Sequence, residues 1–376
     1  MKVLIHGFYG AGNTGDDAIL HSIISQLNKV DMNAEVVVSI RSNNIKAYYG
    51  DKKIRYVMGS DHKSIYDEVS RSNLVIVGGG GLFQDYAGFK PYNLFNGAEG
   101  AINYYFAPLL LAKMLGKKTM LYAVGYGPFL DNNAAKASGW ISNLADVITV
   151  RDNTSMKILE KNNCLKARLT ADPAINLPYS KCNIRKYINT DISNKKLVGI
   201  NLRLWNYGEY GTSKVYNVLL HVCRVLISNF NSHIVIIPFN KSKKEVEMME
   251  KFHSQLPKEH SSIVYYNYSP VEIKSLCSEL DLMIAMRLHA SILAMGAGTP
   301  SIGIGYDPKV TEFYNELQLQ QLTFTIENIR ASEILEISKK VLVNQQHWNN
   351  KVNNNIHKLK IRDNENLQLL KKLLNS

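Results

Sequence analysis

Short β-branched runs that end in glycine or a charged residue alternate with helix-length segments along this chain. No other feature of the sequence restricts the fold as much. The runs are KVLIHG (2–7), AEVVVSI (34–40), NLVIVGGGG (73–81), KTMLYAVGYG (118–127) and DVITVRD (146–152), separated by segments such as 16–29, 100–116 and 134–144. The alternation predicts a parallel sheet with crossover helices, because a tight turn cannot join parallel neighbours. Around 178–196 the sequence turns polar, with Pro178 and the neighbourhood of Asn194, Lys195 and Lys196, and then the rhythm restarts. LVGINLR (197–203), HIVIIPF (233–239), SIVYYNY (262–268), DLMIAM (281–286) and PSIGIGY (300–306) read as strands, with helices near 213–229, 244–255, 270–279 and 288–297. The expected organisation is an α/β domain over 1–180, a second over 195–330 and C-terminal helices over 331–376. A chain of 376 residues is long enough for two domains. Two doubly wound domains are expected to turn the carboxyl ends of their strands toward a shared cleft.

Hydrophobic residues at 45% and charged residues at 20% match an ordinary globular chain and exclude a disordered one. The formal net charge of +12 favours anionic partners. The lysines and arginines are scattered, however, and no helix-turn-helix, RNA-binding signature or basic arm is present, so nucleic acid is not expected as a partner. Anionic small molecules, or peripheral contact with an anionic membrane, fit better. Cys164, Cys182, Cys223 and Cys277 stand far apart without CxxC spacing, which disfavours zinc or a disulfide framework. With no apolar leader after MKVLIHGFYG and no long apolar run, a cytoplasmic protein is expected.

Two glycine-rich stretches follow strand runs. In GFYGAGNTGDDAIL (7–20), Gly10 and Gly12 allow a tight turn before a helix that begins near Thr14 or Asp16, with Asn13, Thr14 and Asp16 as caps or ligand contacts. The spacing is not that of a dinucleotide fingerprint, and Ser39-Ile40-Arg41 puts no acid at the end of the second run, so a nicotinamide cofactor is disfavoured. Asp16 and Asp17 would repel a pyrophosphate but suit a hydroxyl-rich sugar. In GGGGLFQD (78–85), glycines including Gly80 permit close approach of a ligand or of the other domain, and Gln84 and Asp85 could bond a sugar or start a helix.

Cations close the remaining runs. Arg151 directly follows DVITV and can grip a carboxylate or phosphate, or simply pair with Asp152. Arg287 and His289 stand where LMIAM turns into LHASILAM, and Lys309 follows the turn GYDPK. Three cations and one imidazole gathered in one crevice would suit a small, multiply charged anion and a proton transfer.

GFYGAGNTGDDAIL, the GGGG strand end, VRD and MRLHASILAMGAGTPSIGIGYDPK together resemble the polysaccharide pyruvyltransferase family, in order from residue 1 to about 315. RLHA with GYDPK is the most specific block. The resemblance implies a glycosyltransferase-B-like fold, with two Rossmann-type domains facing a central cleft. It also implies transfer of a pyruvyl group from phosphoenolpyruvate to a saccharide acceptor, free or lipid-linked, as a ketal with release of phosphate. Arg151, His289 and Lys309 occupy the positions that the family associates with donor binding and catalysis, and Asp17 fills its acidic position after GNTGD. On this reading Arg287 joins Arg151 and Lys309 in holding the donor's two anions while His289 moves the proton, and neither a metal nor any other cofactor is expected. Two alternatives stand beside it: a transferase of the same architecture using a nucleotide-activated sugar or sialic acid, and a non-catalytic saccharide-binding protein of an assembly complex.

Overall fold

The computed structural model describes residues 1–42, 54–86, 88–92, 102–184, 187–188, 190–204, 212–265 and 268–375. Residues 100 and 101 of one expected helix, and 266 and 267 of one expected strand, lie outside the described residues. The chain forms two compact units, one of Met1–Asn176 with Leu359–Ser376 and the other of Leu177–Lys358.

In the first unit β1 (Lys2–His6), β2 (Glu35–Ile40), β3 (Ile54–Met58), β4 (Leu74–Phe83), β5 (Lys118–Tyr126), β6 (Val147–Val150) and β7 (Arg168–Leu169) form one sheet. Its order is β3-β2-β1-β4-β5-β6-β7, and every pairing is parallel. The connections carry α1 (Thr14–Val30), α2 (His62–Arg71), α3 (Ile102–Met114), α4 (Asn132–Ser142) and α5 (Asn153–Lys161). The central strands read as unbroken apolar runs because helices cover both faces: Leu4, Ile5, Val37 and Val75 are fully buried. The chain leaves β1 toward β2 on one side and returns to β4 on the other, so the sheet's switch point lies between the carboxyl ends of β1 and β4.

The second unit repeats the plan with β8 (Lys196–Asn201), β9 (Ser232–Ile236), β10 (Ser261–Ile263), β11 (Leu282–Ala285), β12 (Ser301–Gly305) and β13 (Thr323–Thr325). Their order is β10-β9-β8-β11-β12-β13, again all parallel, with the switch point between β8 and β11. The helices are α6 (Thr212–Phe230), α7 (Lys243–His253), α8 (Pro270–Cys277), α9 (Leu288–Gly296), α10 (Pro308–Glu316) and α11 (Ala331–Val343). Among the described residues no helix is long and apolar enough to cross a membrane.

The structure departs from the sequence reading in three places. β3, β7 and β13 were not expected: each is an outer strand, and none has a fully buried residue to mark it. The boundary falls at Asn176/Leu177 rather than near 180–195, because the polar segment packs on the second unit. There the buried Lys274 donates to the Leu177 carbonyl (2.9 Å) and Tyr179 donates to the Ala297 carbonyl (3.2 Å). Nor is the tail a module of its own. α12 (Gln345–Asn375) belongs to the second unit as far as Lys358 and to the first from Leu359 onward.

The last turns of α12 join the first unit through a buried carboxylate. Asp363 is fully buried and accepts from Asn176 Nδ2 (2.8 Å), Asn366 Nδ2 (3.0 Å) and, at 3.5 Å, Gln26 Nε2. Burial is the main cause of its raised pKa of about 6; Asp172 adds to the shift, while the Asn176 and Asn366 hydrogen bonds and Lys29 oppose it. Gln26 Oε1 and Asn366 Oδ1 are buried without a hydrogen-bond partner, so a neutral carboxyl at 363 has acceptors within one amide turn. A carboxyl whose pKa is raised by folding stabilises the fold while protonated, and this contribution is lost as pH rises from about 4 through about 6. Asp363→Asn should flatten that decline and gain on the order of 2–3 kcal/mol over wild type at neutral pH. Urea melts of both proteins across pH 4–8 check this, and equal pH dependences would contradict it.

Candidate active site

At the first switch point the loop after β1 folds back on its own unit. Asn13 caps α1, its Oδ1 accepting from Gly15 N (3.1 Å), and Thr14 is the first helical residue. Gly10 and Gly12 have φ of +72° and +77°, a region that side chains disfavour. Gly10 N donates to Asp17 Oδ1 (3.2 Å), and Asp16 and Asp17 are both buried. Tyr9 is buried beneath them and donates to the Gly78 carbonyl (2.6 Å). Its pKa is raised first by burial and then by the Asp16 and Asp17 charges.

The four glycines of GGGG do not end a strand; β4 runs through them to Phe83. What they admit is the unit's own side chains. A Cβ on Gly78 would lie 2.8 Å from Tyr9 Oη, one on Gly79 would lie 2.0 Å from Ile19 Cγ2, one on Gly80 would lie 3.0 Å from Asp16 Oδ1, and one on Gly81 would lie 3.4 Å from Arg151 Nη2. Asp85 is likewise occupied by the scaffold: buried, it accepts from Leu130 N (2.8 Å) and Asp131 N (2.7 Å) and pins the loop after β5. Gln84 accepts from Tyr86 N (2.8 Å).

Arg151 lies in a slot made by glycine. A Cβ on Gly125 would stand 3.0 Å from its Nε. The guanidinium is buried and doubly paired, Nη1 with Asp172 (3.0 Å) and Nε with Asp152 (3.3 Å). Burial works against its charge, but Asp172 and Asp152 outweigh that, so its pKa is raised. Asp152 also caps α5, and Asp172 accepts from Ala174 N (3.1 Å). The structure thus brings Asp16, Gly80 and Arg151 to one sheet edge, with Arg151 already neutralised.

The second switch point is richer in cations. Buried Asn201 ends β8; its Oδ1 accepts from Arg287 N (3.1 Å) and its Nδ2 donates to the Ile237 carbonyl (3.0 Å), which locks three strand ends together. Arg287 is the N-cap residue of α9, and its buried guanidinium pairs with buried Glu245 of α7 at 2.5 Å. Half-buried His289 follows as the second residue of α9. From the end of β12, Asp307 caps α10 and holds Lys309 Nζ at 2.9 Å. Arg203, just past β8, donates from Nη1 to the Tyr306 hydroxyl, with its Cζ 4.5 Å from the centre of that ring. Lys309 Nζ lies 5.9 Å from the same ring.

A family model described as polysaccharide pyruvyl transferase matches residues 13–308. The chain belongs to that family. It is therefore a transferase, and pyruvyl transfer to polysaccharide is its general activity. The amylovoran biosynthesis protein AmsJ of Erwinia amylovora is similar at 21% identity, over 92% of this chain and 93% of that protein. Among solved structures, the chain resembles UDP-GlcNAc 2-epimerase from Neisseria meningitidis (TM-score 0.61, 12% identity, all of both chains). It also resembles MnaA of S. aureus (0.60, 14%, 94% of this chain and 90% of that one) and the E. coli ADP-heptose heptosyltransferase II (0.51, 12%, 92% and 100%). These likenesses show the fold, which is glycosyltransferase-B-like with two parallel-sheet units.

Several residues that shape these edges were not among those singled out in the sequence. Asp172 and Glu245 neutralise arginines from distant positions, which no local pattern reveals. Arg41, just past β2, sits 4.8 Å from the Phe8 ring centre and 5.6 Å from that of Tyr104. Arg203 ended the run LVGINLR and could have been found by the rule that located Arg151, a cation directly after a strand. Because Arg151 is paired inside the unit, its loss strands the buried Asp172 carboxylate and removes a partner of the half-buried Asp152. Arg151→Met should lower the unfolding free energy by about 3–5 kcal/mol. The exposed Arg168→Met should stay within about 0.5 kcal/mol, and the shift in urea midpoints measures both.

Proposed function

We propose that the chain transfers the pyruvyl group of phosphoenolpyruvate to two hydroxyls of a sugar in a cell-surface polysaccharide or its precursor, forming a ketal and releasing phosphate. The observation that carries this reading is the cationic edge of the second unit, where Arg287, His289 and Lys309 leave neighbouring strand ends β11 and β12. A donor with a carboxylate and a phosphate on the same carbon calls for more than one cation within a small span, with a titratable group beside them. Neither a metal nor another cofactor enters the proposed reaction.

In the proposed reaction the donor's methylene carbon takes a proton and becomes a methyl group, which leaves the adjoining carbon electron-poor. A sugar hydroxyl oxygen bonds that carbon, the bond to the phosphate oxygen breaks, and a second hydroxyl oxygen closes the ketal. Of the two hydroxyl protons, one balances the proton gained by the methylene carbon and the other leaves with phosphate. His289 carries the proton between hydroxyl and donor. Lys309 and Arg287 hold the anions, and their carboxylate partners Asp307 and Glu245 keep them in place before the donor arrives.

Phosphoenolpyruvate should raise the melting temperature of the purified chain and nucleotide sugars should not; the reverse pattern would point to a nucleotide-sugar donor instead. His289→Ala should lower phosphate release with a saccharide acceptor on the order of 10²–10⁴-fold while the thermal shift with phosphoenolpyruvate persists. A fully active variant refutes the proton-transfer role.

A further inference from the structure

Because the strands of the first sheet all run the same way, the loops that lead into them share one edge, opposite to the edge that carries Arg151. The loops entering the neighbouring strands β5, β6 and β7 follow the ends of α3, α4 and α5. Hydrogen bonds tie these loops into one platform. Asp146, before β6, accepts from Lys113 Nζ (2.6 Å) at the end of α3 and from Thr119 N (2.8 Å) in β5. Lys166, before β7, donates to the carbonyls of Asn143 (2.6 Å) and Ala145, and Asn143 Nδ2 donates to the Asn163 carbonyl (3.0 Å). Gly139 lets α4 lie against the end of α5, since a Cβ there would stand 2.5 Å from the Asn162 carbonyl oxygen. Lys118, the first residue of β5, donates to the Leu374 carbonyl (3.3 Å), which brings the end of α12 to the same edge.

Large apolar side chains stand out from this platform. Met114 at the end of α3 is 82% exposed, Trp140 in the last turn of α4 is 65% exposed, and Leu165 before β7 is 73% exposed. Singly exposed apolar residues are ordinary at a surface, but these crown loops that are bonded together, over strands that span roughly 10 Å. Cations surround them. Lys117 and Lys118 follow Met114, Lys161 and Lys166 flank Leu165, and the exposed Lys371 and Lys372 arrive with α12. Within residues 113–118, 140–146, 160–168 and 371–372 the acids are Asp146 and Glu160, so the edge is basic. Tryptophan, leucine and methionine on a basic ground seat well at the boundary between anionic headgroups and acyl chains. Interfaces between proteins are instead depleted in lysine.

We propose that this edge of the first sheet is a membrane-contact surface, with Met114, Trp140 and Leu165 entering an anionic bilayer and the lysines around them meeting its phosphates. Docked this way, the strand-end edge with Arg151 faces away from the lipid. The full chain should sediment with vesicles of phosphatidylcholine and phosphatidylglycerol, not with phosphatidylcholine alone, and salt should weaken the binding. Lys371→Gln together with Lys372→Gln should weaken it roughly five- to thirtyfold. Met114→Ser together with Leu165→Ser should weaken it roughly tenfold or more. Brominated lipid in the anionic vesicles should quench the tryptophan emission of the wild type more than that of Trp140→Phe. Absence of binding to anionic vesicles overturns the proposal, and so does wild-type affinity in either pair of substitutions. Equal quenching in Trp140→Phe overturns the insertion of this edge. Self-association of the wild type without vesicle binding, lost in Met114→Ser with Leu165→Ser, would make the edge a contact between copies of the chain instead.

Discussion

Parallel pairing leaves a chain no short way back: each strand must be followed by a crossover, and all strands of the sheet then end on the same edge. In both units this puts the segments after the strands side by side, whatever their distance in sequence. Residues 7–13, 84–86 and 151 follow β1, β4 and β6 in one unit, and 203, 287 and 309 follow β8, β11 and β12 in the other. The strand order reverses between β1 and β4 and between β8 and β11, and in doubly wound sheets such a reversal parts the crossovers and marks where ligands bind. Asn201 shows how tightly the arrangement is tied, since one buried amide bonds the ends of β9 and β11 from the end of β8.

Cations brought to such edges cannot be left bare when buried, because an unpaired buried charge is far more costly than a paired one. Each of the three cations expected to bind the donor meets a carboxylate in its own unit: Arg151 meets Asp152 and Asp172, Arg287 meets Glu245, and Lys309 meets Asp307. The consequence differs with burial. Arg151 is 7% exposed and has two carboxylate partners, so its pairing reads first as architecture holding β6 to the turn before Pro173. Lys309, with its side chain 33% exposed and one partner, can turn toward an arriving anion at little cost.

The fold was legible wherever burial on both faces forced a continuous apolar run, as in Val36–Val38, Leu74–Val77 and Leu282–Ala285. It was not legible in β3, β7 and β13, whose outer positions demand no such run. The glycines were visible as punctuation, but their purpose was not. Gly79 and Gly125 are there because Ile19 and Arg151 occupy the space a side chain would need, and such neighbours come from three-dimensional packing. Cations after strands could be read locally. Their partners could not: Glu245 lies 42 residues from Arg287, and Asp172 lies 21 from Arg151. The tail was legible as helices over 331–376 but its docking was not, since nothing in the local pattern around Asp363 says that Gln26 and Asn176 will receive it.

Size gives a further argument about the donor. Neighbouring strands lie about 4.8 Å apart, so the ends of β8, β11 and β12 span roughly 10 Å. Within that span stand Arg203, Arg287, His289, Tyr306 and Lys309, each on a short tether from a strand end. Cations on strand ends that close together suit a small molecule with its anionic groups on one carbon. A nucleotide sugar would spread its charge over one diphosphate and need, beyond it, surfaces for a base and a ribose. The spacing of these strand ends therefore supports the smaller of the two proposed donors.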